Sequence, residues 1–191
     1  MEPSGVPTRE EALEILHEYT KTDSLRKHAY GVEAVMRAFA EQHGEDPHKF
    51  AVVGLLHDFD YEIHPNAPDH PLKGSEILRA KNVSEEIIYA IQCHADYVGN
   101  ERRTLLDKAI FALDELTGFI VACTLVKPSK SVSEIEARSV RKKLKDKAFA
   151  RSVNREDIFK GAEQLGVDLD ELIAFVAGAL KPVATEIGIQ K

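Results

Sequence analysis

An adjacent imidazole and carboxylate, His57-Asp58, close the apolar run Ala51-Val-Val-Gly-Leu-Leu56. An ionised Asp in such surroundings is costly unless it is paired or bound to a metal. Four more residues of ligand type stand in or beside apolar helical patterns: His28 upstream, and His70, His94 and Asp114 downstream. Imidazole nitrogen mixed with carboxylate oxygen suits iron, manganese, nickel, cobalt or zinc, with magnesium also admissible. Each residue taken alone has an ordinary structural reading. His28 lies on the buried stripe between Leu25 and Val32, as a core histidine bonded to a carbonyl would. Asp114, one turn past Ile110, would make a buried ion pair with Lys108 or Arg26. His94 follows Ile87 and Ile91 on one face, and His70 precedes Pro71 at a loop-to-helix junction. A metal centre assembled from several helices accounts for all of them at once.

The elements that must position these residues are helical nearly throughout. Thr8 with Glu11 makes a capping box before the apolar face Ala12, Leu13, Ile15, Leu16 and Tyr19. Asp23 or Ser24 caps a long second helix with the stripe Leu25, Val32, Val35, Met36 and Phe39, ended by Gly44. Pro47 suits the first turn of a third, which runs to His57-Asp58. Residues 59–70, with two prolines and an Asn, read as a loop. Pro71 opens a short helix carrying Ile77 and Leu78, and Ser84 starts another leading through Ile87, Ile88 and Ile91 to His94. Residues 104–126 are apolar on several faces, the pattern of a central, covered helix. A break at Lys127–Ser131 precedes a basic helical stretch, 133–150, and two more helices capped by Asn154 and Asp168. No strand-like alternation of useful length appears, so the expected fold class is all-α.

At 191 residues the chain suffices for one well-buried core. Net charge is −7, which argues against a broad basic surface for duplex nucleic acid but not against a small phosphorylated ligand. Two cysteines, Cys93 and Cys123, give neither a disulfide framework nor a zinc-ribbon spacing. Met1–Pro7 lacks the basic start and apolar segment of a signal peptide, and the longest apolar stretch, 118–126, is too short to span a bilayer. A soluble, cytoplasmic protein with no membrane partner is expected, and a homo-oligomer is left open.

The order His28 … His57-Asp58 … Asp114 resembles the HD superfamily of metal-dependent phosphohydrolases, which are all-helical. His70-Pro-Leu-Lys-Gly74 looks like the His-Pro-x-x-Gly element of its HDIG and HD-GYP branches, and Ile91-Gln-Cys-His94 like the helix that follows. The similarity covers roughly residues 20–128, and the whole chain also resembles small stand-alone bacterial HD proteins. The resemblance implies an HD-domain helical bundle (20–128) with a C-terminal helical extension (129–191) packing on it, together one domain over 1–191. It implies a first metal on His28, His57, Asp58 and Asp114, and a second completed by His70 and His94 with Asp58 bridging. His57 and Asp58 would be the catalytic hub, one or two divalent transition-metal ions the cofactor.

The implied activity is hydrolysis of a phosphoester in a small phosphorylated molecule, a nucleotide by preference. Substrate phosphate needs fixed positive charge, for which Lys73, Lys127 and Lys130 are the candidates; Asp60 and Glu62 are the candidate general bases. The pattern also departs from the better-known branches. Phe59-Asp60-Tyr61 replaces the Ile-Gly-Lys that follows the HDIG-type doublet, and His94-Ala95 replaces the paired histidines of HD-GYP proteins, which points away from cyclic-di-GMP cleavage. Two other readings share the ligand set: a mixed-valent di-iron oxygenase of the same superfamily, and a non-catalytic nucleotide-binding regulatory module.

Overall fold

The computed structural model describes residues 5–191; Met1–Ser4, part of the stretch read for a leader, lie outside the described residues. The fold is all-α, and among the described residues there is no strand, only an isolated bridge between Ser131 and Gln190. Helix α1 (Arg9–Tyr19) starts on the expected Thr8/Glu11 capping box. Helix α2 (Asp23–His43) ends where Gly44 takes the left-handed conformation at φ 70°. Its other end departs from expectation. Neither Asp23 nor Ser24 caps it; Thr22 is the N-cap without a side-chain bond, while the Glu62 carboxylate accepts from the Lys21 and Thr22 amides. A residue forty positions away thus supplies the acceptor that the local sequence was expected to provide.

Helix α3 (Pro47–Leu56) is capped by Asp46 and buried from Phe50 onward. It packs on α2 through Gly54, where an added Cβ would lie 2.9 Å from the Val32 carbonyl oxygen and 3.0 Å from the Glu33 amide nitrogen. Successive turns through residues 57–63 carry the chain to α4 (Asp69–Ala80), whose backbone is non-helical at His70. Then come α5 (Glu85–Cys93) and α6 (Leu105–Leu125). A Thr104/Asp107 capping box opens α6, which is buried nearly all round, as its composition implied. Ile110, Leu113, Leu116, Phe119 and Ile120 are fully buried. Each such side chain contributes about 1.5–3 kcal/mol, enough to make α6 the element the others are built around.

The basic stretch is helical for less of its length than expected: α7 covers only Ala137–Leu144. The reason lies in Arg155, whose guanidinium collects the carbonyls of Asp146, Phe149, Ala150 and Val153 and holds them in turns. Helices α8 (Arg155–Leu165) and α9 (Leu169–Leu180) begin on Asn154 and Asp168 as expected. Both pack on α6, and α9 also packs on α2. The α6–α8 approach is close, since a Cβ on Gly161 would come within 2.5 Å of Ala112 Cα. No helix among the described residues is long and apolar enough to cross a membrane.

Gly54→Ala is expected to push α3 off the α2 backbone and to lower stability by about 1–3 kcal/mol, the range for overpacking a filled core. Chemical denaturation measures it; a change below about 0.5 kcal/mol, the ordinary spread for benign surface substitutions, would mean that the helices separate without cost.

Candidate metal centre

Six side chains from five elements converge. His28 comes from the second turn of α2, and His57 and Asp58 from the turn ending α3. His70 stands at the irregular start of α4, His94 just past α5, and Asp114 in the centre of α6. They fall into two groups whose ligand atoms lie within 4.8 Å of one another: His28, His57 and Asp114, and Asp58, His70 and His94. Asp58 joins the groups. Its Oδ2 lies 3.4 Å from His57 Nε2 and 3.8 Å from His28 Nε2, while its Oδ1 lies 3.1 Å from His70 Nε2 and 3.4 Å from His94 Nε2. The ion-pair partners considered for Asp114 are elsewhere: its Oδ1 meets His28 Nε2 at 2.9 Å and His57 Nε2 at 3.3 Å, whereas Arg26 bonds the Thr20 carbonyl.

The direction of the imidazoles is fixed from behind. His57 Nδ1 lies 2.8 Å from the Gly54 carbonyl oxygen, and His94 Nδ1 lies 2.5 Å from that of Ile91. A carbonyl only accepts, so both Nδ1 atoms carry the proton and the neutral rings present bare Nε2 lone pairs to the centre. His70 is set the same way, its Nδ1 donating to Asp60 Oδ1 at 2.8 Å. These lone pairs face one another and the carboxylates: His70 Nε2 is 3.0 Å from His94 Nε2, and His57 Nε2 is 3.2 Å from His28 Nε2. Acceptors at such distances repel unless a proton or a metal cation stands between them. The donor set fits a divalent metal on that ground.

Electrostatics say the same thing in terms of protons. Burial pushes the imidazole pKa values of His57 and His70 down, yet the neighbouring carboxylates overcome it: His57 is held well above its usual value by Asp58 and Asp114, and His70 rises to about 9 through Asp58 and Asp60. Burial likewise pushes the carboxyls of Asp58 and Asp114 up, and the histidines bring both well below the ordinary carboxylate range. The centre gathers positive charge in whatever form is offered. It opens to solvent at His28 and Asp58, whose side chains are 24% and 22% exposed, while His57 is fully enclosed.

The two candidate general bases are engaged elsewhere. Asp60 is completely buried, with Oδ1 on His70 and Oδ2 accepting from the Gly74 amide at 3.0 Å. An added Cβ at Gly74 would lie 2.5 Å from Asp60 Cγ, so the glycine is what lets this carboxylate reach the histidine. Asp60 therefore positions His70 rather than facing the opening. Glu62 is spent on the α2 entry described above.

The three candidate phosphate lysines also stand apart from the centre. Lys73 is exposed and pairs with Glu76. Lys127 follows the end of α6; at 1.5 Å per residue it begins about 20 Å along the axis from Asp114, beyond the reach of its side chain, and Lys130 lies further on.

Sequence reading missed two neighbours. Tyr97, in a short turn after His94, donates its hydroxyl to the His70 carbonyl at 2.7 Å. Glu115 faces the other way, toward Asn154, whose amide it accepts at 3.3 Å; burial first and Asp114 second hold its carboxyl up at about 8. Only its position beside Asp114 could have flagged it. The thiols of Cys93 and Cys123 are buried and pushed up to about 12 and about 11, values of inert core cysteines.

Asp60→Ala removes none of the six converging side chains. It is expected to weaken divalent-metal binding about 10–100-fold, as loss of a ligand's orienting partner does. Titration calorimetry on folded variant protein tests this, and wild-type affinity would show that His70 needs no such support.

Residues 25–118 match the family model for the HD domain. Ribonuclease Y of Lawsonia intracellularis (strain PHE/MN1-00) is 31% identical over 98 residues, covering 51% of this chain and 19% of that protein. The chain therefore spans about a fifth of the length of that relative. No solved structure matches. The matched segment opens just before His28 and closes just past Asp114, so it encloses all six converging side chains. HD domains bind divalent metals and are generally metal-dependent hydrolases; by this match residues 25–118 form a domain of the HD superfamily.

Proposed function

We propose that the chain is a phosphohydrolase that cleaves a phosphoester of a small molecule, a nucleotide by preference, at a two-metal centre. His28, His57 and Asp114 would hold one ion, His70 and His94 the other, with Asp58 giving one carboxylate oxygen to each. The observation that carries the reading is the set of four Nε2 atoms turned on one another and on Asp58 across 3.0–3.8 Å. Bound divalent ions in such a site supply a hydroxide nucleophile at neutral pH and polarise the phosphoryl oxygen. The chain's own part is orientation and enclosure. Gly54, Ile91 and Asp60 fix the three rings, buried His57 closes the floor, and the partly exposed His28 and Asp58 leave the side from which substrate enters. The name of the ribonuclease relative supports a phosphoester as the bond class, while the net charge of −7 disfavours a long nucleic acid as the substrate. We take 20–128 as the core of one domain over 1–191, with 129–191 as an extension whose α8 and α9 pack on α6, the helix that carries Asp114.

Screening nucleotides and other phosphoesters with manganese, cobalt, nickel, zinc, iron and magnesium should find a metal-dependent turnover. Chelation should abolish it, and His57→Ala and Asp58→Ala should each reduce kcat by at least about a thousandfold, comparable to loss of a group acting directly in the transition state. Full activity in either variant would overturn the reading. Turnover should persist without oxygen; a strict oxygen requirement would instead favour the di-iron oxygenase.

The pH dependence of metal binding has a definite sign. In the metal-free protein His70 stays protonated up to about 9 rather than the usual 6.5. An ion at its Nε2 displaces that proton, so affinity should fall as pH drops from 9 toward 6.5, by roughly tenfold per pH unit for one proton displaced. Calorimetry in buffers of different ionisation enthalpy should record the proton release; affinity flat across this range would contradict the assignment of His70.

A further inference from the structure

An open cavity of about 610 Å³, apart from the six converging side chains, is lined by Asp96, Glu101, Arg102, Lys108, Lys160 and Gln164 among others. Its lining carries three cations, Arg102, Lys108 and Lys160, and two anions, Asp96 and Glu101, with Asp157 close enough to act on Arg102 and Lys160. Asp96 is shared, accepting from Arg102 Nη2 at 2.9 Å and from Lys160 Nζ at 2.7 and 2.8 Å. Glu101 is engaged by Arg103, and Lys108 has no side-chain hydrogen bond or ion pair among the described residues. Three cations gathered in one pocket of a chain with net charge −7 are a local grouping built by the fold, and Lys108 is the one of them without a carboxylate partner among the described residues.

Arg102 is also fixed in advance. Its side chain is 6% exposed, its Nε donates to the Cys93 carbonyl at 3.0 Å, and its guanidinium lies 3.3 Å from the centroid of the Phe111 ring. Helix α8 brings Lys160 and Gln164 to it from far along the chain, and the first turn of α6 brings Lys108. A fixed guanidinium with two ammonium groups around a polar cavity is the arrangement that binds phosphate-type oxyanions. Cavities of this volume hold small molecules rather than single ions.

The chain that lines the pocket runs directly on from the centre. Asp96 is two residues beyond His94, within about 7 Å by backbone geometry, and Cys93, which anchors Arg102, immediately precedes it.

We infer that this pocket is an oxyanion subsite, taking the phosphate or diphosphate group of a ligand through Arg102, Lys108 and Lys160. It supplies the fixed charge sought in Lys73, Lys127 and Lys130, and it rests on the phosphohydrolase reading only in naming phosphate as the oxyanion. Lys108 is the group left free to turn to the ligand, and Asp96 bridges the other two cations.

The test is titration of the full chain with inorganic pyrophosphate, followed by calorimetry and ³¹P NMR. Saturable binding is expected, weakening with salt, and about a hundredfold weaker in Lys108→Gln/Lys160→Gln, the equivalent of two lost charge-assisted hydrogen bonds at about tenfold each. Lys108→Gln alone, whose ammonium bonds nothing in the folded chain, should weaken binding in the same direction, so a folding defect in the double variant does not hide the effect. The same loss should appear in a His57→Ala background, which separates this site from the metal centre. No saturable binding, or binding equal in wild type and Lys108→Gln, overturns the proposal.

With a turnover substrate in hand, the two sources of the oxyanion separate as well. A rise in KM rather than a fall in kcat in the lysine variants assigns the subsite to the substrate's own distal phosphate. Unchanged KM with pyrophosphate binding lost assigns it to a separate phosphorylated effector.

Discussion

The structure depends on one electrostatic constraint: the Nε2 atoms of His57, His70 and His94, held in place by the Nδ1 hydrogen bonds of the same rings, are aimed with that of His28 at each other and at carboxylate oxygens. Folding brings these acceptors together, and only positive charge between them makes the arrangement favourable. In the metal-free chain protons serve, which is why His57 and His70 titrate above their ordinary values although burial opposes it. Asp58 sits on the line between the groups with one oxygen for each. A site that only needed a buried ion pair would not require four imidazoles to meet there.

The packing around the centre serves that constraint. Because α6 is covered on nearly all sides, Asp114 has no route to solvent except through the centre itself. Close approaches at two glycines set the distances. Gly54 lets α3 lie on the α2 backbone and offers the carbonyl that orients His57, and Gly74 leaves room for Asp60 behind His70. Both are small residues whose value lies in what comes near them. The segment after residue 129 closes the far side, with α8 lying against α6 and its lysine and glutamine facing Arg102.

Much of this was legible in the sequence because it is local or repetitive. Apolar periodicity and caps marked the helices at Thr8, Gly44, Asn154 and Asp168, and the six ligand-type residues were conspicuous as polar side chains within apolar stripes. What escaped depends on contacts between distant positions. Glu62 replaces a local cap on α2, and Arg155 shortens the basic helix by gathering carbonyls before it. Asp60 looked like a base because it stands near the doublet, whereas its partner is set by a turn ten residues long and by a missing Cβ at Gly74. Lys127 and Lys130 drew attention by following the Asp114 helix, but the length of α6 separates them from its middle. The cations that do gather in one pocket, Arg102, Lys108 and Lys160, come from three separate segments, and no spacing in the sequence announces them.

The central claim is that the six residues form one two-metal centre on Asp58. Anomalous diffraction from crystals of the manganese-loaded protein tests it most directly. Two peaks are expected, one on each side of the Asp58 carboxylate and about 3.5–4 Å apart, the separation typical of two-metal hydrolases, the first among His28, His57 and Asp114 and the second between His70 and His94. Manganese bound only elsewhere, with these side chains bare in crystals that hold the ion, would contradict the account.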